Sequence, residues 1–462
     1  MDAAGRMRAA LLGTAALSVT ILTAAAAPEL DTAVVVGFGV FIAMTLWGVL
    51  ARTSGAARPE RGGLLALAGA AGLALADRHL VVASRGPAPD DLAVAALVIV
   101  CLAIAWRAPR LAGRPFVTAL ALAAYALICF SLIAGTRYHS DAVANVHRAA
   151  ELVLSGADPY RAIDTLASLD RFGLDRALAT DLEDGTPLRS FNYPPLSFLL
   201  PAPAVAVGLA DLRALYAALI VLATLAATAM TVERWRPYLL AAVVGNLAIA
   251  RQYVLAGIDP AWAILLGASL LVLARARSWR PLAVSAVLLG LAAAARQPAW
   301  FVVPFVLAAV ARDHGPSRAL RYATVAAAAF VIPALPYLAS APASILGGML
   351  APIILPLEPH GIGLARLGAD GLLPLLPRGA YTAFALAGLA AALVVAARRR
   401  PAHIGLPALA LGPLFIGWRA LQNYFAFAGV YAVLAIAEDD RATPEREART
   451  LPADMEVRRA GR

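Results

Sequence analysis

RYHSDAVANVHRAAELVLSGADPY occupies residues 137–160, and after a further charged segment the chain reads RSFNYPPL at 189–196. This polar insert sits between apolar runs long enough to cross a bilayer, and its placement decides how the rest of the chain is read. The 462 residues are 61% hydrophobic and only 15% charged, with a mean hydropathy of +0.75. A water-soluble domain has too little interior to hide that apolar excess, whereas a polytopic membrane protein requires it. The fold class expected is therefore an all-α polytopic membrane protein whose hydrophilic chemistry is gathered in one large loop.

The net charge of +10 does not point to nucleic acid. The basic residues are all Arg, and most stand in short clusters beside apolar runs, where they act as topology determinants. Cys101 and Cys129 both lie inside apolar runs, so no disulfide staples the polar loop. The apolar run after Arg6 and Arg8 has the look of a signal peptide. An uncleaved first helix is the preferred reading, because a second spanning run follows almost at once.

A span needs roughly 20 apolar residues, which puts helices near 9–27, 31–51, 63–83, 90–107 and 114–134. The connections at 51–62 and 107–114 are rich in Arg and therefore cytoplasmic, while PELD (28–31) is external. The fifth helix thus delivers 137–196 to the extracytoplasmic face. If LSFLLPAPAVAVGLA (196–210) also crossed, every later basic connection would fall outside. Its prolines instead suit an interfacial or re-entrant helix at 195–208. Further spans follow near 211–232, 238–253, 257–274, 281–296, 298–311, 319–339, 379–397, 402–417 and 422–438, about 14 in all by the length rule. Three regions result: an N-terminal block of four spans (1–112), a core (113–438) with its external loop at 135–210, and a cytoplasmic, poorly ordered tail (439–462).

This parity brings five outer connections to one side. In the first, Asp141 follows Ser140 and opens a helix whose Val143, Val146, Ala150 and Val153 share a face, as in a helix lying on a membrane, with Gly156 ending it. Asp141 suits either a helix cap or a reactive carboxylate. Tyr160, Phe191 and Tyr193 offer flat faces for a sugar or a prenyl chain, or simply belong to the aromatic belt. Arg251–Gln252 and Arg296–Gln297 sit at external helix ends, and Arg419 with Gln422, Asn423 and Tyr424 repeats the pattern. Arginine at that depth is costly unless it snorkels to water or meets a phosphate or carboxylate. A loop at 340–378 adds Glu358 and His360. The sequence contains no HExxH, no CxxC and no Gly-rich nucleotide loop, and Asp439–Asp440 form an adjacent acidic pair only in the tail.

LVLSGADPY (152–160), FNYPPLSFLLPAP (191–203), GNLAIARQYVLAGIDPAWAILLGASLLVLA (245–274) and LLGLAAAARQPAWFVVPFVLAAVAR (288–312), in this order after an external Asp, resemble the GT-C superfamily of membrane glycosyltransferases. The resemblance covers residues 114–438 and is strongest to bacterial glycosyltransferase family 87, the polyprenol-phosphate-mannose-dependent mannosyltransferases. It implies a sugar donor carried on a polyprenyl phosphate and used at the extracytoplasmic face of the cell membrane. Asp141 matches the family's general base in the first large external loop, and His360 matches more loosely a His of a later one. Two departures stand out: Arg251–Gln252 where the family often has Gly-Gln, and four spans ahead of its usual first helix.

The residue types suit that chemistry on their own terms. Transfer from a phosphate-linked donor needs a base beside the attacking hydroxyl and cations on the departing phosphate. Asp141 and His360 are the candidate catalytic groups, and Arg251, Arg296 and Arg419 the candidate phosphate ligands. Tyr160, Tyr193, Gln252, Gln297, Asn423 and Tyr424 are candidate substrate contacts. One base acting directly on the acceptor implies inversion. No cofactor or metal is expected. The expected partners are membrane lipid, the polyprenyl-phosphate sugar and a glycolipid or polysaccharide acceptor, with no nucleic acid. An arabinofuranosyl- or glucosyltransferase of the same superfamily, and a transporter or lipid flippase, remain the alternatives.

Overall fold

A computed structural model describes residues 3–26, 32–51 and 115–450. The expected spans at 63–83 and 90–107, the connection at 28–31, most of that at 51–62, Cys101 and residues 451–462 lie outside them. Helices dominate: α1 (Ala3–Ala26), α2 (Thr32–Leu50), α3 (Pro115–Ala134), α4 (Asp141–Leu154), α5 (Leu212–Met230), α6 (Arg236–Val244) and α7 (Ala261–Ala274). They continue with α8 (Trp279–Ala295), α9 (Val303–His314), α10 (Pro316–Val331), α11 (Pro342–Ile354), α12 (Arg378–Arg399) and α13 (Ala428–Thr450), joined by shorter turns. The strands are two-residue pieces, β1 (His360–Gly361) and β2 (Arg419–Ala420), paired in parallel.

Among the described residues, three helical stretches are long and apolar enough to cross a membrane: Leu212–Met230, Pro316–Ser340 and Arg378–Arg399. The second is α10 carried through a tight turn at Ile332–Ala334 into Leu335–Ser340. Within α5, Thr224 and Thr228 return their hydroxyls to Ile220 O and Thr224 O at 2.7 and 2.6 Å, which satisfies both hydroxyls within an apolar helix. Small residues then allow close crossings. A Cβ on Gly290 would fall 2.1 Å from the Ala326 carbonyl, so α8 and α10 touch backbone to backbone. A buried chain of hydroxyls from Ser269 through Ser285 to Tyr322 links α7, α8 and α10.

The other apolar runs are shorter or broken, and the breaks have visible causes. The run expected as a span at 238–253 stops at Gly245. Asn246 satisfies the freed backbone, donating to Ala426 O at 2.8 Å and accepting from Ala248 N–H at 3.1 Å. A π-turn at Ala250–Leu255 follows. The run at 402–417 is divided into a turn at His403–Gly405 and the short helices Leu406–Leu409 and Leu411–Ile416, with Pro407 and Pro413 in the two helices. The expected interfacial segment at 195–208 is two short helices, Leu196–Leu199 and Ala202–Ala206, neither of which can cross a bilayer.

Three expectations are corrected. The stretch 340–378, read as loop, contains α11 and a turn of helix at Leu364–Ala369. The tail does not lose order at Glu438, because α13 runs on to Thr450. Its carboxylates are held by distant arginines, Asp439 by Arg6 at 2.9 Å, Glu438 by Arg275 and Asp440 by Arg234. Finally, α4 does not present one face to a membrane. Asn145 and His147 are buried along with Val143 and Val146, because the segments at 165–171 and 196–206 fold over the helix.

The first two helices are built into the core. Phe38 of α2 meets Phe415 and Phe425 at 5.3 and 4.8 Å between ring centroids, and Arg6 of α1 donates to Gly48 O at 2.7 Å. Large apolar side chains such as Leu222, Val284, Leu320 and Leu386 point outward on α5, α8, α10 and α12. That suits a lipid-facing surface.

Candidate functional site

One end of the helices encloses a cavity of about 730 Å³. Its wall begins at the start of α4. Ser140 takes the N-cap position, where its hydroxyl accepts from Val143 N–H at 3.4 Å and donates to Ala256 O at 2.7 Å. That leaves Asp141 in the first turn without capping duty. Its carboxylate accepts from the backbone N–H and the hydroxyl of Thr180 at 3.1 and 2.9 Å, and it lines the cavity. Burial raises the Asp141 pKa, while the Thr180 hydrogen bonds and the nearby Arg419 pull it back.

The rest of the lining comes from chain segments far apart in sequence. The parallel pair β1–β2 sets His360 beside Arg419. Gly361, at φ +105, lies so close to β2 that a Cβ there would fall 2.2 Å from Ala420 O. His360 has its pKa pushed down to about 4, by burial first and then by Arg419 and Arg366, so its ring is neutral at physiological pH. Gln252 donates to Gln422 Oε1 at 2.8 Å, tying the π-turn to the last loop. Gln297 donates to Asn192 O at 2.8 Å, tying the end of α8 to the polar insert.

Arg296 is the most informative side chain on this wall. It is 3% exposed, and its guanidinium carbon stands 4.6 Å from the centre of the Tyr193 ring. Among the described residues it has no side-chain hydrogen bond and no ion pair, and its Nη1 is buried without a partner. Asn423 likewise buries its Nδ2 without an acceptor. Each such donor costs about 1–3 kcal/mol when left unmatched. Arg419 also lacks a carboxylate partner among the described residues, its electrostatic influence falling on Asp141 and His360. The cavity lining therefore offers two guanidiniums and a spare amide together with a hydrogen-bonded carboxylate. That arrangement can hold an anion and take a proton from a group beside it.

The structure gathers Asp141, His360, Arg296, Arg419 and Tyr193 on this wall, together with Gln252, Gln297, Asn423 and Tyr424. Two expected residues are not there. Tyr160 is buried in an aromatic cluster with Phe191, Phe198 and Tyr337, at 5.4–5.9 Å between ring centroids, and its hydroxyl donates to Tyr193 O. It supports the site from behind and offers no free face. Arg251, in the π-turn, does not line the cavity, though it lies near enough to His139 to help depress that residue's pKa after burial and Arg213. Asp158 is a local cap, accepting from Tyr160 N–H and from the Ser340 hydroxyl, both at 2.9 Å.

Thr180, Asp181, Asn192 and Arg366 line the cavity without having been singled out in the sequence. Only Asn192, inside FNYPPL, carried a usable signal. The others sit in an irregular polar stretch or a short helix whose neighbours are set by tertiary folding. Behind Arg296, Asp259 is 1% exposed, with one oxygen accepting from Ala261 N–H at 2.8 Å and the other unpaired. Among the described residues no three His, Cys, Asp or Glu side chains converge as metal ligands. Comparison with family models, with curated proteins and with solved structures finds no match for this chain.

Proposed function

We propose that this chain is an integral-membrane glycosyltransferase that moves a sugar, mannose in the first instance, from a polyprenyl-phosphate donor to a lipid or polysaccharide acceptor at the extracytoplasmic face. The observation that carries the reading is Arg296, a buried guanidinium with no ion pair and no side-chain hydrogen bond among the described residues, lining the same cavity as Asp141. An unpaired buried charge costs several kcal/mol, and a bound anion removes that cost. A sugar phosphodiester supplies one, and its carbon–oxygen bond breaks to release a phosphate that needs just such cations. Asp141 takes the proton from the acceptor hydroxyl as that oxygen attacks the sugar carbon, and the polyprenyl phosphate departs onto Arg296 and Arg419. Attack from the face opposite the leaving group inverts the sugar. The apolar faces of α5, α10 and α12 keep the chain in the bilayer, where a polyprenyl tail resides.

The test is turnover by purified protein with polyprenyl-phosphate mannose and a membrane-lipid extract. Wild type should transfer, and Asp141→Asn should lose about 10²–10⁴-fold in rate with unchanged expression. Arg296→Gln should raise the donor concentration needed more than the acceptor concentration. Near-full turnover by Asp141→Asn would remove Asp141 as the base. Equal losses on both substrates in Arg296→Gln would remove the phosphate role. No transfer from any polyprenyl-phosphate sugar would sink the glycosyltransferase reading and leave a transporter to be tested.

A further inference from the structure

A second cavity of about 720 Å³ lies at the other end of the same helices. The first is lined by Ile258, just before α7, and by Tyr424, just before α13; the second by Leu273 and Ala274 at the far end of α7 and by Glu438 and Asp439 within α13. The 14 residues of α7 put on the order of 20 Å between them. The second wall holds five arginines (Arg6, Arg277, Arg312, Arg399 and Arg400) against three carboxylates. Each carboxylate is already engaged: Asp313 by Arg312 and by His403, Asp439 by Arg6, and Glu438 by Arg275. Arg399 and Arg400 have no acidic partner among the described residues.

Arg400 carries a second signal. It closes α12 in the left-handed conformation, φ 49 and ψ 58, and it is the one non-glycine residue with positive φ among those described. Glycine or asparagine is the ordinary occupant of such a position. Pro401 follows it directly, which restricts its backbone further. A non-glycine residue kept in this conformation is an outlier of the kind that marks functional positions. Val49, Leu50 and Leu273 line the same cavity, so its wall combines cationic heads with apolar helix ends.

We infer that this second cavity binds a phosphate group, either the headgroup of an anionic phospholipid or a free phosphate ester, at the end of the molecule opposite the Asp141 site. Arg399 and Arg400 supply the charge, and Arg312, fixed by Asp313, frames the wall. Cationic pockets between helix ends are suited to anionic headgroups. The inference is independent of what the first cavity does.

The test uses the full chain in neutral detergent and follows thermal unfolding, which needs no turnover. Phosphatidylglycerol micelles should raise the Tm by about 2 °C or more over phosphatidylcholine, as ligand binding to the folded state requires. In Arg399→Gln/Arg400→Gly the rise should fall at least threefold. The baseline Tm should hold or increase, because glycine relieves the left-handed strain. Arg280→Gln, which removes a charge outside the cavity, should keep the full rise. A response to phosphatidylglycerol alone supports the lipid headgroup, and an equal response to millimolar glycerol 3-phosphate supports the free ester. No preference for anionic lipid or phosphate by wild type, an undiminished rise in the double variant, or an equal fall in Arg280→Gln would each overturn the site.

Discussion

Asp141 owes its freedom to its neighbour. Because Ser140 caps α4, the Asp141 carboxylate is left to Thr180 and the cavity. Its proton affinity is then set by opposed causes, burial raising it and the Thr180 bonds and Arg419 lowering it. If Asp141 must be ionised to act, the acid limb of the pH–rate profile reports its pKa. Arg419→Gln removes a stabilising cation, so the carboxyl holds its proton to higher pH and the acid limb moves upward. His360 does not set that limb in the neutral range, because it is already deprotonated above about pH 4. A limb that stays in place in Arg419→Gln, measured over pH 4–8, would show that Asp141 is not the titrating base. The Ser-Asp pair at the head of an amphipathic run made this site legible in the sequence. Tyr160 was misread because the rings that enclose it, Phe198 and Tyr337, lie far away in the chain. Thr180 carried no signal at all, since nothing in its own segment reports that it folds back onto α4.

Pairings between short elements decide whether the cavity has a far wall. β1 and β2 are only two residues each, yet they hold His360 of the second long loop beside Arg419 of the last one. Gly361 is required there twice over, by its φ of +105 and by the 2.2 Å approach to Ala420 O. Gly361→Ala should therefore part the strands at a local cost of about 1–3 kcal/mol. The Tm should drop by only a few degrees while turnover falls at least tenfold. Loss of Tm and turnover in proportion would mean that the pair merely stabilises the fold. Long, uniformly apolar elements such as α5 and α12 could be read from the sequence to within a few residues. Elements whose form depends on remote partners could not. α11 contains Gly347, Gly348 and Pro352, the composition of a loop, and is helical because it packs on the aromatic cluster, with Gly348 pressed against Phe191 O. The polar residues of α13 read as a tail because the arginines that anchor them belong to α1, to the turn before α6 and to the end of α7.

At the scale of the whole molecule, a carboxylate-bearing cavity and an arginine-rich one occupy opposite ends of a shared set of helices, and the function proposed depends on which end faces out. The proposed reaction requires the Asp141 end to face outside, an orientation that the arginines near Arg277, Arg312 and Arg398–Arg400 at the other end would favour. The orientation can be tested without any assay of transfer. With Cys101 and Cys129 replaced by Ala, a single cysteine goes in at Ser155, an exposed position just after α4, or at Ser278, an exposed position just before α8. An impermeant maleimide added to intact cells should label Ser155→Cys, and should reach Ser278→Cys only after the membrane is opened. The reverse pattern would turn the Asp141 cavity toward the cytoplasm. A donor on the extracytoplasmic leaflet would then be out of reach, and the proposed reaction would fail whatever the geometry of Arg296. Labelling of both sites in intact cells would mean that the helices between them do not separate two compartments. The three long apolar helices would then have to be read as the interior of something other than a membrane-spanning bundle.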